Sequence, residues 1–185
     1  MKVPTVSDQY CWKKQSERDD LDWFLYAYAE ATGQSLAVVN AGEAPDFVCE
    51  REGGQRVGVE LTKIIASPET RRWHRLFGSG AMKLSADVGS EIFEAAARKA
   101  KILPNGRWKT FETFLVIQLF DNPLSEIHRG LEQIDTGDFA EFGFAEVWVA
   151  DYSTLEAYGR IELFGIYPER VAGYYPLCAG CKPYG

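Results

Sequence analysis

Residues 114–120 are almost all apolar, which is typical of a central strand buried on both faces of a sheet. A helical pattern precedes this run at about residues 85–102, with Val88, Ile92 and Ala96 on one stripe. A shorter helical pattern follows it from Asn122-Pro123 to about residue 134. A buried strand between helical segments predicts an α/β fold.

Six further segments, one helix and five strands, complete the predicted order. Ser16, followed three residues later by Asp19, has the form of a capping box and predicts a helix that ends at Gly33. Strand-like segments follow at residues 36–40, 47–50 and 57–65, and later at 145–150 and 161–167. The expected order is α, β, β, β, α, β, α, β, β, in one domain over residues 1–185.

Composition narrows the class of protein. A chain of 185 residues that is 46% apolar can bury one sizeable core. No apolar run reaches the roughly 18 residues that cross a bilayer, and residues 1–10 lack the apolar stretch of a secretory signal. We therefore expect a cytoplasmic protein with no membrane partner. Cys178 and Cys181 have the spacing of half a zinc knuckle, but no second close pair exists, so their role stays open.

Charge is distributed unevenly along the chain. The net charge is −7, yet the segment from Lys63 to Lys109 holds ten Lys or Arg and four Asp or Glu. Basic side chains around an aromatic ring suit phosphate contacts and base stacking. This pattern predicts a nucleic-acid contact at Arg71, Arg72, Trp73 and Arg75. The alternative is a solvated basic loop.

Two carboxylates flank a predicted hairpin. Asp46 precedes one strand, and Glu60 lies among apolar residues of the returning strand. Burying a lone carboxylate is unfavourable unless it is paired, hydrogen-bonded or bound to a metal, and Mg²⁺ prefers such oxygen ligands. The alternative is that Asp46 caps a turn and Glu60 pairs with a surface Lys or Arg.

The order helix, three strands, helix, strand, with Pro45-Asp46 on one strand and Glu60-Leu61-Thr62 on the next, resembles the PD-(D/E)XK nuclease, or restriction-endonuclease-like, superfamily. The resemblance covers about residues 16–121, a mixed central sheet flanked by helices, and leaves residues 122–185 as a C-terminal extension. It implies that Asp46 and Glu60 bind Mg²⁺ or Mn²⁺, with the Leu61 carbonyl as a third ligand. It also implies an acidic residue from the first helix and a lysine at the position that Thr62 occupies.

The faces that side chains occupy on their strand or helix select the remaining catalytic candidates, the lysine and the acidic residue of the first helix. Lys63 should project from the opposite face of the strand to Glu60, whereas Lys99 shares the stripe of Ile92 and is the substitute lysine by analogy with members of the superfamily. Glu17 lies within about 40° of the apolar stripe of the first helix, and Glu30 lies about 180° away. Lys99 could equally be a lysine at the edge of an apolar stripe, and Glu17 a carboxylate near a helix N-terminus.

The number of residues in the hairpin loop decides whether Asp46 and Glu60 lie on the same face of the sheet. A two-residue turn at Gly53-Gly54 would send Asp46 and Glu60 to opposite faces of the sheet. A three-residue loop, 52–54, would place them opposite each other, with Gly54 in the left-handed conformation. We therefore predict an odd loop or a bulge, with both carboxylates on the face toward Glu17.

Together these features predict metal-dependent hydrolysis of a phosphodiester in nucleic acid. The expected catalytic residues are Glu17, Asp46, Glu60 and Lys99. The alternatives are a catalytically inactive nuclease fold that binds nucleic acid or a protein, and an immunity-type interaction protein that meets a basic partner. DNA is favoured as the partner, although no residue distinguishes it from RNA, and a homodimer is left open. Gln118 could orient a water or ligand, or simply satisfy buried backbone.

Overall fold

The structure is a computed structural model that describes residues 6–64, 85–102, 112–121 and 123–177, with side chains from residue 12 in the first range and residue 88 in the second. Its strands are β1 (Leu36–Ala41), β2 (Phe47–Arg51), β3 (Arg56–Lys63), β4 (Glu112–Leu119), β5 (Glu146–Asp151), β6 (Glu162–Tyr167) and β7 (Gly173–Tyr175). Its described helices are α1 (Val6–Thr32), α2 (Ser85–Ala100), α3 (Leu124–Leu131), and the single turns α4 (Gly137–Ala140) and α5 (Leu155–Tyr158). A 3₁₀ turn spans Glu169–Val171.

The strands lie in chain order across one mixed sheet, from β1 to β7. β1, β2 and β3 form an antiparallel meander, β4 and β5 run parallel to β3, and β6 and β7 are antiparallel to their neighbours. The two parallel connections contain α2 and α3, because parallel neighbours need a crossover. The predicted α/β class is confirmed, and the carboxyl ends of β3, β4 and β5 lie at the same edge of the sheet.

Each face of the sheet has its own apolar cluster. The first cluster joins α1 to the central strands through Leu21, Phe24, Tyr28, Val59, Leu61, Phe114 and Val116. The second joins α2 and α3 to the other face through Val88, Ile92, Ala96, Leu115, Ile117, Leu124 and Ile127. Successive side chains of a strand point to opposite faces, so the apolar run in β4 supplies both clusters. This explains why that run shows no alternation in sequence.

The predicted start of the first helix is wrong. α1 begins at Val6, ten residues before Ser16, and Ser16 lies inside it. No glycine or proline separates Val6 from Ser16, and ion pairs from Lys13 and Lys14 to Glu17 run across the predicted boundary. The capping-box pattern therefore arose within a continuous helix.

The predicted order is otherwise confirmed for the longer elements, and the segment after residue 121 adds three strands to the same sheet. The prediction missed β7 and the single-turn helices, which are too short to show a period. No described helix is both long and apolar enough to span a membrane.

Candidate active site

The β2–β3 hairpin brings Asp46 and Glu60 together. Phe47 lies opposite Val59, so the same register places Asp46, the preceding residue, opposite Glu60. The loop has three residues, since the Arg51 N–H donates to the Gln55 carbonyl at 2.9 Å. The predicted odd loop is thus confirmed.

Two glycines allow the backbone conformation that this loop needs. Gly53 has φ +105° and Gly54 has φ +86°, conformations that side chains with a Cβ rarely adopt. The predicted left-handed conformation of Gly54 is therefore also confirmed.

Each carboxylate accepts one backbone N–H from the opposite strand. The Asp46 N–H donates to Glu60 Oε2 at 3.1 Å, and the Leu61 N–H donates to Asp46 Oδ2 at 2.9 Å. Asp46 and Glu60 are 16% and 5% exposed in their side chains. The alternative in which Asp46 merely caps a turn is inconsistent with these reciprocal bonds.

Lys99 approaches Glu60 from α2. Its ammonium forms an ion pair with Glu60 Oε1, in the orientation predicted from the stripe shared with Ile92 and Ala96, both buried. The partner of Glu60 is a half-buried lysine rather than a surface one, with 21% of its side chain exposed. Thr62, at the motif position of lysine, is buried and carries no charge.

One part of the orientation prediction is wrong. Glu60 alternates with Val59 and Leu61, whose side chains pack on the α1 side, so Glu60 points toward α2 rather than toward Glu17. The three-residue loop places Asp46 and Glu60 on the same face of the sheet. The packing of the helices shows that this is the face covered by α2.

Glu17 reaches the group through Lys14, one turn earlier on α1. Lys14 Nζ lies 3.0 Å from Glu17 Oε2 and 4.0 Å from Asp46 Oδ1. Burial alone would lower the pKa of Lys14, but the hydrogen bond and charge of Glu17, together with the charges of Asp46 and Glu43, raise that pKa above its ordinary value. Glu30 lies elsewhere, paired with Arg160, as its helical phase predicted.

A cavity of about 470 Å³ opens at the carboxyl ends of β3 and β4. Its lining includes Glu17, Asp46, Leu61, Thr62, Lys63 and Lys99. Lys63 pairs with Asp20 of α1 at 2.9 Å, so it lies on the opposite face from Glu60, as strand alternation predicted. The cavity thus receives carboxylates and ammonium groups from both faces of the sheet.

No protein-family model, curated protein or solved structure matches the chain. The interpretation of this cavity therefore rests on its own residues. Arg71, Arg72, Trp73 and Arg75, the predicted nucleic-acid contacts, lie outside the described residues, as do Cys178 and Cys181.

The electrostatics of the paired carboxylates favour a cation. Burial, followed by the charge of Asp46, raises the pKa of Glu60 to about 7. Burial also raises the pKa of Asp46 above its ordinary value. A divalent ion shared by both groups would favour their ionised forms.

The donor set fits Mg²⁺ or Mn²⁺. Within the described ranges, no three His, Cys, Asp or Glu side chains are grouped closely enough to hold a metal. Mg²⁺, however, usually keeps several waters and needs only one or two carboxylates beside the phosphates of a substrate. Asp46 and Glu60, with the Leu61 carbonyl, would supply that set.

Gln118 is the second polar residue of interest on the cavity wall. It is 1% exposed, and neither its amide oxygen nor its amide nitrogen forms a hydrogen bond with the residues that the structure describes. Its amide lies beside the Tyr152 hydroxyl, which donates to the Asp20 carbonyl at 2.6 Å. The expectation that Gln118 satisfies buried backbone is therefore not met among these residues.

Sequence reasoning missed Lys14. The false boundary at Ser16 placed it outside the first helix, although its spacing of three residues from Glu17 is the signal that could have identified it. Its other contacts, to Gly42 and Asp46, come from separate parts of the chain and have no sequence signal.

Proposed function

We propose that this chain is a metal-dependent nuclease with a restriction-endonuclease-like core, which hydrolyses a phosphodiester bond in nucleic acid. The observation that carries the proposal is the contact of Glu60 with both Asp46 and Lys99, two residues whose side chains line one cavity. The helix, three-strand meander, helix and parallel strand that position them support the finer assignment of the fold.

Each residue has a distinct part in this proposal. Asp46 and Glu60 would hold the ion, with the Leu61 carbonyl as a third ligand. A bound Mg²⁺ supplies a Lewis acid for the phosphate and a water of lowered pKa. Lys99, held on α2, stabilises the negative charge that develops on the phosphate.

The position of Lys99 accounts for the departure at Thr62. The superfamily motif implies an ammonium on the same strand as the glutamate, two residues later. Here the ammonium comes from α2 and meets Glu60 from the same side of the sheet. Glu17, held by Lys14, lies at the other wall of the cavity and would orient water there.

Calorimetric titration with Mn²⁺ tests the metal site. Asp46→Asn should weaken Mn²⁺ binding by at least about tenfold while the fold remains intact by circular dichroism, because it removes one of two carboxylate ligands. Asp138→Asn, a change at an exposed position, is the matched control and should bind like the native chain. Unchanged affinity in Asp46→Asn would exclude the proposed site.

A cleavage assay on mixed single-stranded and duplex substrates decides whether the site is active. Thr62 occupies the position at which the superfamily motif implies a lysine. This departure favours one alternative, a nuclease fold that binds nucleic acid without cutting it. Binding of oligonucleotide without cleavage in Mg²⁺ or Mn²⁺ would support that alternative. Cleavage that is lost in Asp46→Asn would support the nuclease.

A further inference from the structure

Gln118 contributes a buried amide to the wall of the cavity at the carboxyl ends of β3 and β4. The residue is 1% exposed, yet it is one of those that line the cavity. Among the described residues, its amide oxygen accepts no hydrogen bond and its amide nitrogen donates none. Buried polar groups are normally hydrogen-bonded, because a buried group without a partner is unfavourable. A ligand in the cavity would supply the partners that this amide lacks among these residues.

The cavity joins Gln118 to the proposed metal ligands across the end of the sheet. Val116, two residues earlier on β4, packs on the α1 side, so strand alternation turns Gln118 to the same side. Lys63, the register partner of Gln118 on β3, also points there and pairs with Asp20 of α1. Asp46 lines the same cavity from the α2 side. A nucleic-acid strand with a phosphate near Asp46 would therefore have a neighbouring group near Gln118.

The surroundings of Gln118 suit a nucleotide. The cavity is lined by three lysines, whose ammonium groups attract phosphate, at Lys13, Lys63 and Lys99. The Lys63 ammonium also lies 4.8 Å from the centroid of the Phe120 ring, which is 38% exposed. Exposed aromatic rings bind unpaired bases by stacking, with little dependence on sequence. Both the phosphate and the base of a nucleotide thus have partners here.

The chemistry of the amide favours the base. A glutamine amide offers a donor and an acceptor side by side, and this pair matches the edge of a nucleobase, as in the contact of Gln with N6 and N7 of adenine. Gln118 lies too deep for a base that is stacked in a duplex, and enzymes reach such bases only after the base has left the stack. The cavity, of about 470 Å³, has room for one base but not for a duplex.

We propose that Gln118 recognises the edge of one unpaired base next to the scissile phosphate, so that the substrate is single-stranded or locally unpaired nucleic acid. This inference rests on the proposed nuclease function, because it assigns the substrate of the same cavity. Gln118 is a specificity-determining residue that binds the base and takes no part in hydrolysis.

Binding of a short single-stranded oligonucleotide tests this role without cleavage. Fluorescence anisotropy at low salt in EDTA is the measurement, and the matching duplex is the comparison. The native chain should bind the single strand at least about tenfold more tightly than the duplex. Replacement of one base by an abasic position, moved along the strand in successive probes, should weaken binding by about tenfold at one place, because stacking and base hydrogen bonds are lost there.

Gln118→Met separates base recognition from a structural role. This variant should bind the intact strand at least about fivefold more weakly, and the abasic position should matter much less, because the apolar side chain cannot pair with a base. Urea denaturation should show that its stability is not lowered. Gln118→Glu, which keeps the shape but loses the donor, serves if Gln118→Met does not fold. Gln133→Met, at an exposed position, is the matched control and should bind like the native chain.

The other outcomes separate this inference from the proposed function. Native affinity in Gln118→Met, or a native chain that prefers the duplex, would overturn the role of Gln118. Weaker binding together with lowered stability would show that the amide is structural and would also overturn it. In each case the nuclease stands if cleavage is lost in Asp46→Asn. A native chain that neither binds nor cleaves nucleic acid would overturn both proposals.

Discussion

Both halves of the sheet bury carboxylates, but the two halves satisfy them differently. In the half built from β5, β6 and β7, Asp151 Oδ1 accepts the Ser153 N–H and hydroxyl at 2.8 and 2.6 Å. Its Oδ2 accepts the Leu124 N–H at 2.8 Å, at the first turn of α3. Glu146 similarly accepts the Trp148 indole N–H at 2.8 Å and Arg170 at 2.7 Å.

In the half built from β2 and β3, ammonium groups are prominent among the partners. Asp46 and Glu60 each accept one backbone N–H, and their further charged neighbours are Lys14 and Lys99. Asp46 and Lys99 line the cavity. Burial raises the pKa of Asp151 as it does that of Asp46. A raised pKa therefore does not distinguish the two halves. The cavity does, because Asp46 lines it and Asp151 is not among its lining residues. Asp46 and Glu60 are the pair that we propose binds the ion.

The largest effect on stability is expected at Asp151. Asp151→Ala should lower the free energy of unfolding by about 3 kcal/mol, because it removes the acceptor of three hydrogen bonds, one of which caps α3. Urea denaturation measures this value, and Mn²⁺ affinity should not change. Asp46→Asn should show the reverse pattern, with weakened Mn²⁺ binding and a small change in stability. Equal losses of stability in the two variants would remove the contrast between the halves.

Glu60 should make the metal-free protein less stable as pH rises. With its pKa raised from 4.5 to about 7, folded Glu60 keeps a proton in this window that the unfolded chain has released, so stability falls as pH rises through it. The shift corresponds to about 3 kcal/mol at most. Glu60→Gln should lose distinctly less stability between these pH values in urea denaturation. The exposed control Glu141→Gln should behave like the native chain, and an identical slope in all three would contradict the assignment.

The effect of Lys99 on turnover is a further test of the contrast between the two halves of the sheet. Lys99→Ala should lower the turnover number by at least about tenfold, because in the proposed nuclease it removes a donor that would stabilise charge at the phosphate. Steady-state cleavage kinetics provide the measurement. Arg98→Ala, which removes an exposed neighbouring cation on α2, is the control and should have a much smaller effect. A larger effect at Arg98 would mean that the inward face of α2 has been misassigned.

The smallest predicted effect is at Gln118. Gln118→Met should raise the free energy of unfolding by about 1 kcal/mol, because an apolar side chain of similar shape replaces a buried amide whose O and N atoms accept and donate no hydrogen bond among the described residues. Gln133→Met, at an exposed position, should change stability by less than about 0.5 kcal/mol. Destabilisation by Gln118→Met in thermal or urea unfolding would show instead that the amide is hydrogen-bonded, with Tyr152 as the neighbour at hand.

Local patterns in the sequence were sufficient for much of the fold. The loop at Gly53 and Gly54 allowed two lengths, and the requirement that Asp46 and Glu60 share a face selected the three-residue loop, since side chains alternate strictly along a strand. Helical phase predicted the inward orientation of Lys99. That orientation depends on residues that are close in the chain, where spacing alone sets geometry.

The tertiary structure decided which face of the sheet those residues use and what else meets them. Glu60 points toward α2 because Val59 and Leu61 are covered by α1, and the sequence contains no signal for that choice. Lys14 joins the site because α1 extends ten residues beyond its predicted start and lies against Gly42 and Asp46. Contacts between segments distant in the chain depend on how helices pack on a sheet, which local periodicity does not encode.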